Sequence, residues 1–316
     1  MLLLAGFILK GPLQAALVVA TMAVLGLLLP PVTWLSAAAV ALVTLVNGYK
    51  QGLLVSAIAY VGAVIFSILI FSNMNDAADY SPALAMEMVL YFVLLIWLPA
   101  LLLAAVLQQT VSLALVIQLL TGLSLLVVAA FYLLYPDFGE LWRGQFDQFI
   151  AQLITSLNDQ GNNLGSAEAA DLQRLEEVLI HLLPGLFVGS LMLGALISLL
   201  IGRWWQAVYF NPEGFGKEFQ ALSLGKYSAL AALAIIVLAL LQGSYMMYSF
   251  LMIVLMTYYV QGTSILHAVF KRRKWHTVWL IVVYGLIVFL PQFMLLLIFI
   301  GITDSWVNIR QRVSSV

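Results

Sequence analysis

The chain of 316 residues contains no cysteine. This absence excludes disulfide bonds, thiolate chemistry, cysteine-ligated zinc and iron–sulfur clusters. Charged residues are also scarce, at 9% of the sequence, whereas a soluble domain carries about 25%. The composition is therefore too poor in charge for an ordinary soluble domain.

Several sequence motifs of soluble enzymes are absent as well. No GxxxxGK[ST] occurs, so the chain has no P-loop to hold nucleotide phosphates, and HExxH and GxSxG are missing too. Gly214-Phe215-Gly216 lacks the third glycine of a dinucleotide-binding fingerprint, and no strand precedes it. The three histidines lie far apart in the sequence. We therefore expect no enzymatic activity, no metal, no cofactor and no nucleic-acid partner.

What the chain does contain is mostly apolar, with 64% hydrophobic residues and a mean hydropathy of +1.08. A helix needs about 20 apolar residues to cross a bilayer core of about 30 Å. The alternating segments of about 10 residues that barrel strands show are not visible. The sequence predicts an all-α polytopic membrane protein with about nine transmembrane helices, or eight if the seventh and eighth form one. The nine expected spans are 12–29, 32–47, 52–72, 83–106, 111–135, 179–202, 227–241, 245–269 and 277–302.

The positions of Lys and Arg predict an orientation. If the N-terminus is cytoplasmic and the nine spans alternate, nine Lys and Arg residues fall on the cytoplasmic side and four on the other, as the positive-inside rule requires. The four are Arg143, Arg174, Arg310 and Arg312. The run KRRK at 271–274 is the strongest single indication of this orientation. The basic C-terminal segment IRQRVSSV does not fit it, because nine spans place this segment on the opposite side, whereas eight spans place it in the cytoplasm. We expect a multi-pass protein of the bacterial inner (cytoplasmic) membrane, without a cleavable signal peptide because Lys10 follows the apolar residues.

Two long polar stretches divide the chain. The expected parts are a five-helix N-terminal membrane bundle at 1–135, an extracytoplasmic amphipathic helical hairpin at 136–178, and C-terminal membrane helices at 179–316. Apolar residues recur at helical spacing in the hairpin: Phe146, Phe149, Ile150, Leu153, Ile154 and Leu157, then Leu172, Leu175 and Leu179. The hairpin is either a lid over a cavity or an interfacial element that covers helix ends.

Three residues are candidates for lining a ligand cavity. Glu87 is the only acidic residue inside an expected span, where a charge is costly unless it faces the bundle interior or reaches the headgroups. Gln118 lies in the middle of the fifth span, where it either lines a cavity or bonds a neighbouring helix. His181 precedes Pro184, which removes a backbone donor and favours a kink or a polar pocket.

The second polar stretch, 203–226, is predicted to form a cytoplasmic interfacial loop. RWWQAVYF at 203–210 is an aromatic and basic belt of the kind found at membrane–water interfaces. The loop then offers an exposed surface for a protein partner, and its candidate docking residues are Asn211, Pro212, Gly214, Phe215, Gly216 and Lys217. No residue pattern in this loop indicates a catalytic site.

FNPEGFGKEFQALSLGKY, GTSILHAVFKRRKW and LPQFMLLLIFIGITDSW together resemble the YybS-like family of bacterial membrane proteins. The resemblance spans roughly residues 203–312, and the N-terminal half agrees mainly in its hydrophobic pattern. That family is distantly similar in fold to the substrate-binding subunits (S-components) of energy-coupling-factor transporters. The resemblance implies a core of about six helices with further helices after it.

Two functions fit these features. The first is a small-molecule binding or transport component similar to an S-component, which would need an ATPase partner because the chain has no nucleotide site. The alternative is a non-catalytic membrane scaffold or assembly factor of the cell envelope, with 203–226 and KRRK as surfaces for a membrane or cytoplasmic protein partner or for the lipid bilayer.

Overall fold

The computed structural model describes residues 2–71, 82–159, 166–276 and 278–312. Every regular element in these ranges is helical, which confirms the all-α prediction. A π-helical turn at Val93–Trp97 joins α5 to α6, and a 3-10 turn at Gly139–Trp142 precedes α8. The helices are α1 Leu2–Ile8, α2 Pro12–Leu28, α3 Pro31–Asn47, α4 Tyr49–Phe71, α5 Pro82–Phe92, α6 Leu98–Thr110, α7 Leu113–Leu134, α8 Arg143–Asp159, α9 Ser166–Phe210, α10 Gly214–Gln220, α11 Gly225–Gln242, α12 Tyr245–Arg272, α13 Val278–Phe289, α14 Gln292–Val307 and α15 Ile309–Arg312.

Six helices of the described residues are long and apolar enough to cross a bilayer, or seven if the bent pair α13–α14 counts as one span. The first two expected spans correspond to α2 and α3, which have 17 residues each and are shorter than the about 20 residues of a full crossing. A multi-pass helical membrane protein is confirmed, while the count of nine stays a prediction.

The ninth expected span, 277–302, is not one straight helix. α13 and α14 meet at 117°, and with 12 and 16 residues they extend only about 18 and 24 Å. The break falls at Pro291, which has no amide hydrogen to continue the first helix. Neither helix alone covers the bilayer core, and the chain turns back at this proline.

α9 is a single helix of 45 residues, roughly 67 Å long. It begins in the first polar stretch and ends in the second, so these stretches lie at opposite ends of the molecule. We call the end that carries α8 and the beginning of α9 the hairpin face and the end that carries residues 203–226 the loop face.

Other segments also lie at the loop face. Tyr209 packs 3.4 Å from the position that a Cβ on Gly6 of α1 would occupy. Gln206 and Gln108 both donate to the carbonyl oxygen of Leu45, near the turn between α3 and α4.

The last described helix, α15, lies at the loop face as well. The guanidinium of Arg310 donates hydrogen bonds of 2.6 Å to the carbonyl oxygens of Gln220 and Leu222. The expectation that Arg310 and Arg312 lie opposite the loop is therefore wrong. α12 ends at the loop face, and α13 and α14 together return the chain to that same face.

Two apolar cores hold the bundle together. One joins α1, α2, α4 and part of α3 around the fully buried Trp97, and the other joins α7, α9, α11, α12 and α14. α3 contributes Leu42 to the first core and Leu45 to the second. The second core also contains residues of α6, such as Ala104 and Leu107, so helices from both sides of the expected boundary at 135 pack together.

The helices predicted for the hairpin are α8 and the beginning of α9. The break expected between them at GNNLG, 161–165, lies outside the described residues. Ile150 of α8 is buried as expected, but Phe149 is 59% exposed. On α9, Leu175 is 51% exposed and Glu176 occupies the buried position instead. The apolar spacing therefore predicted the helices better than it predicted the face that packs.

Candidate ligand cavity at the hairpin face

A cavity of about 280 Å³ opens beneath the hairpin. Three segments that are distant in sequence surround it: the chain from the end of α7 to the 3-10 turn, one turn of α9, and the beginning of α12. Its lining residues are Tyr132, Pro136, Asp137, Gly139, Glu140, Ile180, His181, Pro184, Ser244, Tyr245 and Met246. We call this space the hairpin-face cavity. His181 is the one residue of the three predicted cavity candidates that it contains.

The wall on α9 is built around Pro184, which lies inside the helix. Because proline has no amide hydrogen, the carbonyl of Ile180 one turn earlier loses its helical donor. Gly139 packs directly on this carbonyl, since a Cβ at that glycine would lie 2.2 Å from the Ile180 oxygen. A side chain at position 139 would push the 3-10 turn away from α9, so the glycine closes one side of the cavity.

Tyr132 ties α7 to both other walls. Its hydroxyl lies 2.7 Å from the carbonyl oxygen of His181 and 2.9 Å from the hydroxyl of Ser249, which can donate to it. These hydrogen bonds hold the phenol ring of Tyr132 in place between α9 and α12.

The imidazole of His181 stacks on the ring of Tyr245, with 4.6 Å between the ring centroids and 24° between the planes. Its Nδ1 lies 2.8 Å from the carbonyl oxygen of Glu177. This bond assigns the hydrogen to Nδ1 in the neutral ring and leaves Nε2 as an acceptor. The side chain is 39% exposed, so Nε2 has access to a small molecule in the cavity.

An ion-pair cluster forms one rim. Arg143 joins the 3-10 turn to α9 by donating to Glu140 at 2.8 Å and to Glu177 at 3.0 Å. The hydrogen bond from Arg143 holds the pKa of Glu140 below its ordinary value. The hydrogen bonds to Glu140 and Glu177 in turn raise the pKa of Arg143. Glu140 and Arg143 are therefore charged at neutral pH, and each is already paired.

Asp137 carries the carboxylate that is left for a ligand. Its side chain is exposed and accepts no hydrogen bond from the residues that the structure describes. Ser244, by contrast, is used to cap α12, where its hydroxyl accepts from the amide of Met247. The cavity thus offers one unpaired carboxylate, one imidazole nitrogen and an aromatic stack.

Glu87 lies elsewhere, on the exposed surface of α5. Its carboxylate accepts a hydrogen bond of 2.9 Å from the hydroxyl of Tyr91 on the same helix. Neither a contact with His181 nor a place in the hairpin-face cavity is found for it among the described residues. A role of Glu87 in ligand binding stays a prediction without support from this geometry.

Gln118 lies toward the loop face, where its amide donates to the carbonyl of Leu224 at 2.7 Å and to the hydroxyl of Ser228 at 2.9 Å. It lines a smaller space of about 180 Å³ together with Thr121, Thr257 and Tyr258. The three predicted candidates therefore belong to three separate places. Gln118 forms hydrogen bonds with a neighbouring segment, which is the alternative to lining a ligand cavity that its place in the fifth span left open.

The expected docking residues of the loop differ in exposure. Asn211, Pro212 and Lys217 are exposed, whereas Gly214, Phe215 and Gly216 are half-buried. Lys217 pairs with Glu213 at 2.9 Å, and Phe215 stacks on Phe219 with 5.9 Å between centroids. A partner surface here stays a prediction, and its most accessible part is the tip at 211–213.

Buried polar residues that sequence reasoning missed fasten this loop to the bundle. Gln261 is fully buried; its oxygen accepts from the amide of Leu224, and its nitrogen donates to the carbonyl of Gly301. Asp304 is 1% exposed and pairs with Arg310 at 3.0 Å. In the sequence, the one sign of these contacts was a single glutamine in the apolar span 245–269. Asp304 gave no such sign, because it lies just beyond the expected end of the ninth span.

Comparison with known proteins places the chain in a family. A family model described as "Predicted membrane protein (DUF2232)" matches residues 16–305. Searches of curated proteins and of solved structures give no match. The similarity to YybS-like proteins and to S-components therefore stays a prediction.

Proposed function

We propose that this chain, which belongs to the DUF2232 family of predicted membrane proteins, binds a small polar molecule in the hairpin-face cavity as the binding component of a transport system. The observation that carries the proposal is the cavity itself, which residues from three separate segments line at the hairpin face. Its volume of about 280 Å³ is at the lower limit of known ligand pockets, about 300–1,000 Å³. The ligand is therefore smaller than a typical drug molecule.

The chemistry of the lining supports a ligand that donates hydrogen bonds. Asp137 provides an unpaired carboxylate and His181 an accepting Nε2, and the adjacent ring of Tyr245 provides an aromatic surface. An amine or a group of hydroxyls satisfies both acceptors, whereas a carboxylate would be repelled by Asp137. Energy for release would come from a partner ATPase, since the sequence has no P-loop.

Thermal unfolding of the purified protein in detergent with a panel of vitamins, amines and polyols tests this function. A molecule at about 100 times its Kd stabilises its protein by about 2.7 kcal/mol. We expect an amine- or hydroxyl-bearing compound to raise the Tm of the wild type, and His181→Ala and Asp137→Asn each to abolish the shift. Glu87→Gln is the matched control, because it removes a carboxylate outside the cavity and is expected to keep the shift.

Two outcomes would contradict the proposal. One is a shift that survives both cavity substitutions, which would place binding elsewhere. The other is a panel without any stabilising compound together with no small molecule released when the wild type is denatured and its supernatant is analysed by mass spectrometry.

A further inference from the structure

A second cavity, of about 580 Å³, opens at the loop face next to the end of α12. Four of its seven lining residues carry a positive charge at neutral pH. The lining residues are Lys217, Gln220, Ala221, Ala268, Lys271, Arg272 and Arg310. We call this space the basic cavity.

Two of the four cations are already neutralised and shape the cavity. Lys217 pairs with the exposed Glu213 at 2.9 Å, and the largely buried Arg310 pairs with Asp304 at 3.0 Å. Arg310 also donates to the carbonyls of Gln220 and Leu222, as described above, which fixes the loop as one wall.

Lys271 and Arg272 are free to bind a ligand. Both are exposed at the end of α12, and neither forms an ion pair within the ranges that the structure describes. Lys217, and secondarily the charge of Lys271, hold the pKa of Glu213 below its ordinary value. Four cations against two carboxylates leave an excess of two positive charges, which suits a phosphate group.

Exposed aromatic residues that follow Lys271 and Arg272 along the chain indicate that this end of α12 lies at the depth of lipid headgroups. Trp275 is 55% exposed and packs edge-on against Phe270, with 4.9 Å between centroids, and Trp279 is 59% exposed. Exposed tryptophans mark the membrane–water interface. The adjacent α13 exposes Val278, Ile281 and Val282 and has only one buried residue, Ile287. Its apolar surface is suited to acyl chains.

We propose that the basic cavity binds the phosphate of an anionic phospholipid, with Lys271 and Arg272 contacting the headgroup and the acyl chains lying along α13. Arginine binds phosphate oxygens in a bidentate manner, and lysine adds a point charge. Basic pockets beside transmembrane helices bind anionic headgroups in this way. The position among interfacial tryptophans and beside a lipid-exposed helix favours a lipid over a soluble phosphate. This site is independent of the hairpin-face cavity.

The test is native mass spectrometry of the full-length protein, released from detergent after mixing with phosphatidylglycerol or phosphatidylcholine. The wild type is expected to retain one phosphatidylglycerol and to release phosphatidylcholine. K271Q/R272Q removes the two direct charge-assisted contacts with the phosphate, so this variant is expected to bind phosphatidylglycerol about 30-fold more weakly. The control is R273Q/K274Q, which removes the same charge from adjacent residues that do not line the cavity, and it is expected to retain the lipid.

Further arms make the result decisive. Equal losses in the two double variants would overturn the proposal, because they would show attraction to the whole basic run and not to this cavity. Equal retention of the two lipids, or displacement of phosphatidylglycerol by inorganic phosphate or glycerol phosphate, would overturn the assignment to a lipid. Arg272→Lys keeps the charge but not the bidentate geometry; if the double variant does not fold, weaker lipid retention in this variant supports the site and unchanged retention contradicts it.

Discussion

At the scale of single residues, buried polar side chains connect helices that hydropathy treats as interchangeable. Ser36 and Trp97 are fully buried in the N-terminal core. The hydroxyl of Ser36 donates to the carbonyl of Val19 at 2.8 Å and accepts from the indole nitrogen of Trp97 at 2.9 Å. One hydroxyl therefore joins α2, α3 and the π-helical turn. The sequence shows that such residues are present in the spans, but it does not show which partners they meet.

We expect Ser36→Ala to destabilise the protein by about 1 kcal/mol, because the indole N–H of Trp97 loses its buried acceptor. Thermal unfolding in detergent measures this as a lower Tm. Ser56→Ala is the control, since the hydroxyl of Ser56 bonds only the carbonyl of Gly52 in its own helix. Equal effects of the two substitutions would show that the Trp97 contact contributes nothing.

At the scale of elements, close backbone contact explains why α14 packs where it does. A Cβ on Gly262 of α12 would lie 1.9 Å from the carbonyl oxygen of Leu297, and a Cβ on Gly301 of α14 would lie 2.4 Å from that of Tyr258. Small residues at such contacts let helices in a membrane approach closely. Hydropathy predicted one span at 277–302 because apolar content alone does not show a turn. The direction that α14 takes after Pro291 depends on glycines and on Gln261, which are distant in sequence.

Gly301→Ala is expected to destabilise the protein by about 1–3 kcal/mol, because the added methyl group meets backbone and must separate α12 from α14. Gly285→Ala on α13 is the matched control. No atom lies within 4 Å of its added methyl group, and alanine favours a helix over glycine by about 1 kcal/mol. Thermal unfolding of the two variants tests the contact, and a loss of stability in Gly285→Ala that equals the loss in Gly301→Ala would contradict it.

At the scale of the whole molecule, the return of the chain to the loop face at α15 removes the conflict in the charge pattern. Of the 13 Lys and Arg residues, Arg143 and Arg174 belong to the hairpin face. The other eleven belong to the loop face once Arg310 and Arg312 join it. Under the positive-inside rule, this asymmetry favours a cytoplasmic loop face more strongly than nine alternating spans did.

The absence of cysteine makes this orientation testable with single-cysteine variants. We expect Glu213→Cys and Arg312→Cys to react with an impermeant maleimide only when the cytoplasmic side is accessible, and Asp171→Cys to react from outside intact cells. Reaction of Arg312→Cys from the same side as Asp171→Cys would support nine alternating spans. Reaction of all three from one side would refute the division of the polar stretches between two faces.

Composition and helical spacing were enough to predict an all-α membrane protein, the helix that became α8 and the separation of the two polar stretches. They were not enough to bring together the hairpin-face cavity, because Tyr132, Gly139, His181 and Tyr245 meet only through tertiary packing. Glu87 was a candidate because it is a charged residue in an apolar span, yet its side chain is exposed. Among the described residues, the buried carboxylates are those of Glu176 and Asp304. Sequence position alone does not distinguish a helix surface that faces lipid from one that faces protein.

The proline in the middle of α9 has a mechanical consequence. A helix bends most easily where a backbone hydrogen bond is already missing, and in α9 that place is Pro184. The 18 residues before it carry α8, while the 26 after it are anchored by buried residues such as Leu196 and Leu199. Bending of α9 at Pro184 would thus move the part of this helix that contacts α8 relative to the packed bundle, and it would change the shape of the hairpin-face cavity, which lies at that point.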